Sequence, residues 1–122
     1  RLQNIMDEYA GGVSTYYMTS GTMLNEGFKY LEMLKEDVEH LAAADLHELL
    51  RCWENHHRTV AAEAHARHIA FREETRYPGY YYRGDFLAID DENWRCFTNS
   101  KYDKATRTWE VFKRDYHQII PD

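Results

Sequence analysis

Cysteine, proline and long apolar runs are scarce in this 122-residue sequence, and each scarcity closes off a class of protein. The two cysteines, Cys52 and Cys96, stand far apart with no CxxC pair, which argues against a zinc knuckle and against a disulfide framework. Two reduced thiols in a cytoplasmic protein are the expectation. Two prolines and six glycines are too few for a collagen-like or low-complexity chain. No apolar run approaches the ~20 residues of a spanning helix, and no charged-then-apolar leader opens the sequence, so no membrane insertion is predicted. Lysine and arginine never gather into a phosphate-tracking stripe, and the net charge is −6, which argues against nucleic acid as a partner. A GxGxxG, a P-loop, a nucleophile elbow and a Ser/Cys–His–Asp order are also missing.

What remains is rich in apolar residues (43%) and aromatics (15%, ten of them tyrosine), the composition of a folded domain with a modest core. The first residue is Arg1 rather than methionine, and the expectation is a segment of something longer. Residues 1–44 hold three basic and seven acidic side chains, so most of the net charge lies there.

Hydrophobic spacing outlines the elements. Leu2, Ile5, Met6 and Tyr9 predict a short helix that bends at Gly11-Gly12. Leu24, Phe28, Leu31, Leu34, Val38 and Leu41 recur every three or four residues, which predicts an amphipathic helix over about 22–43. Asp45-Leu46-His47-Glu48 has the D-x-x-E form of a capping box. From it Leu46, Leu49, Leu50, Trp53, Val60, Ala61, Ala64, His68 and Phe71 predict one apolar face of a third helix reaching about residue 73. Ala61, Ala62, Ala64 and Ala66 would let a neighbour approach closely, and the short link predicts antiparallel packing of the two long helices. Pro78-Gly79 stops the helical pattern, and strand-like stretches at 95–101 and 107–113 around Asp103-Lys104-Ala105-Thr106 predict a hairpin.

Five of the seven histidines, His47, His56, His57, His65 and His68, fall on the third helix. His47-Glu48-Leu49-Leu50-Arg51 begins like the H-E-x-x-H of zinc peptidases, but Arg51 cannot bind zinc. Glu54 and His57 make a single E-x-x-H where a di-iron bundle needs two. His65 and His68 lack a third and fourth ligand at known spacing. The expectation is histidines that hydrogen-bond locally and no metal site; a helical metal-binding module built on Glu54, His57, His65 and His68 is the competing reading. Tyr80, Tyr81, Tyr82 and Trp94 suggest a packing or subunit-contact surface rather than a stacking platform, because no basic groove accompanies them. Arg76, Arg83, Asp85, Asp90 and Asp91 stand close to these aromatics, where unpaired burial is costly, so mutual pairing that locks the loop after the long helix is predicted.

That loop carries a resemblance. Arg67-His68-Ile69-Ala70-Phe71-Arg72-Glu73-Glu74-Thr75-Arg76, then Tyr82-Arg83-Gly84-Asp85-Phe86 and Asp90-Asp91-Glu92-Asn93-Trp94, resembles the C-terminal region of the succinate dehydrogenase and fumarate reductase flavoprotein family, with its E-S-R-G-A-H-x-R-x-D-x-P pattern ahead of D-D-x-x-W. Thr75 replaces the serine, and six residues rather than four separate Arg76 from Arg83. The longer E-T-R-x-P-G-Y-Y-x-R form, with Asp45–Glu54, is similar to the adenylylsulfate-reducing branch of that family. The resemblance implies a mainly α fold: an up-and-down three-helix bundle like a spectrin repeat over 1–76, then an irregular segment with a small β-hairpin over 77–122. It implies a parent that uses FAD to interconvert adenylylsulfate with sulfite and AMP and passes electrons to an iron–sulfur β subunit. The flavin and substrate residues of such a parent lie upstream, so no catalytic, cofactor or metal residue is assigned here. Arg76, Tyr80, Tyr81, Tyr82, Arg83, Asp85, Asp90, Asp91 and Trp94 are the structural or interface candidates. A succinate or fumarate oxidoreductase or an aspartate oxidase is the alternative parent.

Overall fold

A computed structural model describes residues 1–77, 80–117 and 119–120. Helix α1 (Leu2–Tyr9) lays Leu2, Ile5 and Met6 against the core and closes on Ala10, after which Gly11 turns the chain at φ +83°. Only glycine holds that left-handed conformation without steric cost. Met18–Thr19 forms a two-residue strand, β1, and Ser20 then caps helix α2 (Gly21–Glu39) by accepting the Met23 N–H at 3.3 Å. α2 buries Leu24, Gly27, Leu31 and Leu34. At Gly27 the two helices cross so closely that a Cβ would lie 2.7 Å from that of Tyr9.

The capping box is formed. Asp45 accepts the Glu48 N–H at 2.8 Å, while Glu48 reaches back one residue further than expected, to the Ala44 N–H at 2.7 Å. Helix α3 (Leu46–Phe71) runs from there, and α2 and α3 pack together. Both end short of the predicted limits. α2 stops at Glu39, where the His40 N–H closes the last turn on the Asp37 and Val38 carbonyls, and Leu41 beyond it is about half exposed. α3 stops at Phe71, before the predicted breaker; Pro78-Gly79 lies outside the described residues.

α3 buries a different face from the one its periodicity indicates. Thr59, Glu63, Ala66 and Ile69 are the buried residues. At 3.6 residues per turn they lie opposite the stripe of Leu46, Trp53, Val60, Ala64 and Phe71. The first face packs on α1 and α2 around Ala10, Leu24, Leu31, Ala66 and Ile69. Its charged member, Glu63, is satisfied by Lys35 of α2 at 3.1 Å and Arg67 at 2.7 Å. Burial alone works against its charge, but those two cations hold its carboxyl below the usual range. The apolar stripe faces the other way and meets the C-terminal segment: Phe71 stacks edge-on to Trp94 at 5.6 Å, and the His68 ring lies 3.3 Å from the Thr98 hydroxyl. Only its C-terminal half is covered. Leu46, 84% exposed, and Leu49, Leu50 and Trp53 stay in solvent, although they carry the predicted periodicity. Ala61 is exposed too, whereas Ala66 is buried in the core.

Downstream come strand β2 (Tyr82–Arg83), a one-turn helix α4 (Asp91–Trp94) capped by Asp90, and the hairpin of β3 (Cys96–Asp103) and β4 (Thr108–Asp115). The hairpin pairs Cys96 with Asp115 and Asp103 with Thr108, and Asp103 accepts the Ala105 N–H in the turn. β1 and β2 form a second sheet, parallel and two residues long, absent from the sequence reading. The architecture is therefore mainly α with two small two-stranded sheets. In the helical part α2 and α3 pair as a hairpin, and the part of α1 that this chain contains packs mainly on α2 and ends before Gly11-Gly12. Among the described residues no helix is long and apolar enough to cross a membrane.

Candidate functional site

The loop after α3 is built on Arg83, only 2% exposed. A helix end leaves backbone carbonyls without partners. The Arg83 guanidinium takes them up, its Nη1 donating to the carbonyls of Ile69 (2.6 Å), Ala70 (3.1 Å) and Arg72 (3.0 Å). The other side of the same group forks onto Asp85, Nε and Nη2 each 2.9 Å from a carboxylate oxygen. Asp85 also accepts the Gly21 N–H at 2.8 Å, at the start of α2. Arg83 thus ties the end of α3, through Asp85, to the beginning of α2. The fork lowers the Asp85 carboxyl to about 2.

Thr75 sits inside this frame. Its hydroxyl accepts the Arg83 N–H at 3.0 Å and donates to the Phe86 carbonyl at 2.8 Å. The departure from serine keeps the hydroxyl that matters. Strand pairing holds the loop from the other side, the Tyr82 N–H donating to the Tyr17 carbonyl and the Gly84 N–H to that of Thr19, both at 2.7 Å. Tyr16 and Tyr17 reach that position with φ of 53° and 63°, a left-handed stretch unusual for tyrosine.

A second cluster surrounds Glu74, whose side chain is fully buried. It receives the Arg76 guanidinium at 2.7 and 3.0 Å, the Asp90 N–H at 3.0 Å and Arg72. Burial disfavours its charge, and these donors, Arg76 foremost, more than compensate and hold its carboxyl below the ordinary value. Arg72 continues to the carbonyls of Trp94 and Cys96, each at 2.8 Å, and Arg76 to Asp91 at 2.9 Å. Trp94 is buried beneath Phe71, with the Lys113 ammonium 3.7 Å above its ring.

The predicted candidates therefore fall into two groups. Arg83 pairs with Asp85 and Arg76 with Asp91, while Asp90 caps α4 through Asn93. The aromatics do not form one exposed platform: Tyr80 is 81% exposed, Tyr81 packs on the core, Tyr82 is half-buried in β2 and Trp94 is buried. Glu74 and Arg72, which hold the second cluster, escape sequence reasoning because Arg72-Glu73-Glu74 reads as a solvated charge run. The available signal is the pair of arginines, Arg72 and Arg76, that bracket Glu73-Glu74-Thr75. Among the described residues no three His, Cys, Asp or Glu side chains converge as a metal site. His56 and His57 instead cluster with Trp53, and burial, with His65 and Arg72 nearby, lowers the His68 imidazole.

Residues 1–119, which hold both the helical hairpin and the buried arginine–carboxylate loop, match the fumarate reductase flavoprotein C-terminal family, and the chain belongs to it. Within it, the adenylylsulfate reductase α subunit of Megalodesulfovibrio gigas is 60% identical over 121 residues, 99% of this chain. The structure of adenylylsulfate reductase from Archaeoglobus fulgidus is similar at a TM-score of 0.96 and 55% identity over 99% of the chain. A structure of adenosine-5-phosphosulfate reductase in covalent adduct with sulfite matches equally well. The chain spans 18% of the length of the first of these and 19% of the other two.

Proposed function

We propose that this chain is a non-catalytic structural and interface domain of an FAD-dependent adenylylsulfate reductase α subunit, whose parent enzyme interconverts adenylylsulfate with sulfite and AMP in the cytoplasm. The carrying observation is the 60% identity across 99% of the chain to an α subunit of that enzyme. On this reading 1–76 and 77–122 act as one unit, joined by the Arg83 and Glu74 clusters, and keep the spectrin-like order of the family's bundle. Arg76, Arg83, Asp85, Asp90, Asp91 and Trp94 hold the loop in shape, while Tyr80 to Tyr82 present part of it to the upstream flavin and capping domains. The iron–sulfur β subunit is the outer partner.

FAD belongs to the parent rather than to these residues. The two clefts beside the hairpin are open, and no glycine-rich turn leading into a helix lines either of them, which does not fit a flavin and its pyrophosphate. In the parent FAD would supply the electron transfer, and this chain's part is to hold a rigid surface. The test is the flavin content of the purified 122-residue chain: the expected absorption spectrum has no flavin band after incubation with excess FAD and gel filtration. Stoichiometric retained flavin would overturn the assignment.

A further inference from the structure

The outer face of the hairpin has chemistry that the loop does not use. Residues alternate across a strand, so Phe97 and Arg114, which are register partners, point to the same side, away from α3. Phe97 stacks on Tyr116 with ring centroids 5.7 Å apart, and the Arg95 guanidinium lies 5.8 Å from the Tyr116 ring. Arg95, the two rings and Arg114 thus share one side of the hairpin, with Phe97 and Arg114 lining one cleft. Both rings stay about half exposed, 54% and 45%. Among the described residues neither Arg95 nor Arg114 forms an ion pair, although the nearby Arg72 and Arg76 are fully engaged with Glu74 and Asp91. In a chain of net charge −6, two adjacent arginines without carboxylates run against the general surface.

The ground on both sides is concave. A cleft of about 480 Å³ lies on the Arg95 and Tyr116 side and one of about 740 Å³ on the Arg114 and His117 side, and the two share Phe97 and Thr98. Together they make an open trough rather than a closed pocket. Small ligands are held by burying most of their surface. An open trough with a cation toward each side and exposed rings at its centre suits an extended chain instead, with acidic side chains to pair the guanidiniums and apolar ones to cover Phe97 and Tyr116. Asp115 lines the second cleft, and it is the carboxylate an acidic partner would have to avoid.

We propose that this face of the hairpin docks an acidic, extended peptide segment of a partner polypeptide, gripped by Arg95 and Arg114 across the Phe97–Tyr116 pair. The assignment holds whichever flavoprotein the chain serves; loop residues Arg72, Arg76, Tyr77 and Trp94 wall the first cleft, but Tyr80 to Tyr82, proposed above to face the parent's own domains, line neither.

The test is fluorescence anisotropy of the 122-residue chain, its helicity checked by circular dichroism, with a labelled peptide of alternating Glu and Phe and a counterpart of alternating Lys and Phe. Selective binding of the acidic peptide is expected, weakening as salt is raised. Arg95→Gln with Arg114→Gln should reduce affinity about tenfold or more, the scale of losing hydrogen bonds to a charged group. Arg95→Lys with Arg114→Lys, which keeps the charge, should retain most of the binding and controls for folding. Equal binding of both peptides, or unchanged affinity in the Gln pair, overturns the proposal. So does displacement of the peptide by inorganic phosphate at matched charge, which would mark a simple anion site. Concentration-dependent dimerisation abolished by the Gln pair would assign the face to a second copy and equally refute it.

Discussion

Replacing Arg83 with alanine removes one guanidinium from five hydrogen bonds at once. Three of these take up the last carbonyls of α3, and the other two form the fork to Asp85. A hydrogen bond to a charged group contributes ~1.5–3 kcal/mol, but bonds sharing one group are not additive. A better guide is the removal of one partner from a buried ion pair, which costs about 3–5 kcal/mol. Asp85 is 33% exposed, so water recovers part of its charge, while the three carbonyls sit under a group 2% exposed and recover less. The expected loss is therefore about 3–4 kcal/mol, a large share of the ~5–15 kcal/mol that stabilises a domain. Arg83→Lys keeps a charge but not the planar fork, and should lose about 2 kcal/mol. Urea unfolding followed by far-ultraviolet circular dichroism reads both as a lower midpoint at unchanged slope. An Arg83→Ala midpoint equivalent to less than about 1 kcal/mol of destabilisation would refute the view that this arginine seals the helix.

The same pair sets a pH response. Arg83 holds Asp85 near 2 against 3.8 in the unfolded chain, so this stability is present above pH ~4 and is lost as pH falls toward 2. The full shift corresponds to about 2.4 kcal/mol, or ~1–2 after allowing for the exposed third of the carboxylate; acid unfolding of Asp85→Asn should lack this component. Asp45→Ala should weaken the start of α3 by about 1 kcal/mol, and an unchanged Tm would argue against the cap. Ile69→Ala should cost ~2–5 kcal/mol, whereas Leu46→Ala should cost less than ~0.5 kcal/mol despite its place on the apolar stripe. Comparable losses at the two positions would mean that the start of α3 is covered after all.

Much of the local architecture is legible in the residues themselves. The Asp45 box, the Gly11 turn and the Asp103 turn are interactions among neighbours in sequence, and each forms near the place where the residue types require it. That Arg76, Arg83, Asp85 and Asp91 pair among themselves was legible, because charges beside aromatics must find partners, but which joins which, and that Asp90 caps α4 instead, was not. The parallel β1–β2 contact was not, since two residues carry no periodicity and their partners lie 64 positions away. Glu74 was not either: a glutamate among charged neighbours looks solvated until the loop closes over it.

By itself the sequence determined where helices start and turn, that a hairpin follows, and that the loop around Arg76 belongs to one flavoprotein family. Those are questions of short range, decided by caps, turns and a specific string of residues. Which face of α3 lies inside was left to the tertiary structure. The helix is covered on two opposite sides, by α2 along the Thr59–Ile69 face and by the C-terminal segment along part of the apolar stripe, so periodicity marks a face without saying what meets it. Tertiary contacts also moved Trp94 from the surface to the interior and made Arg83 a cap for carbonyls more than ten residues before it. Such roles depend on which chain segments meet in space, and no window along the sequence holds that information.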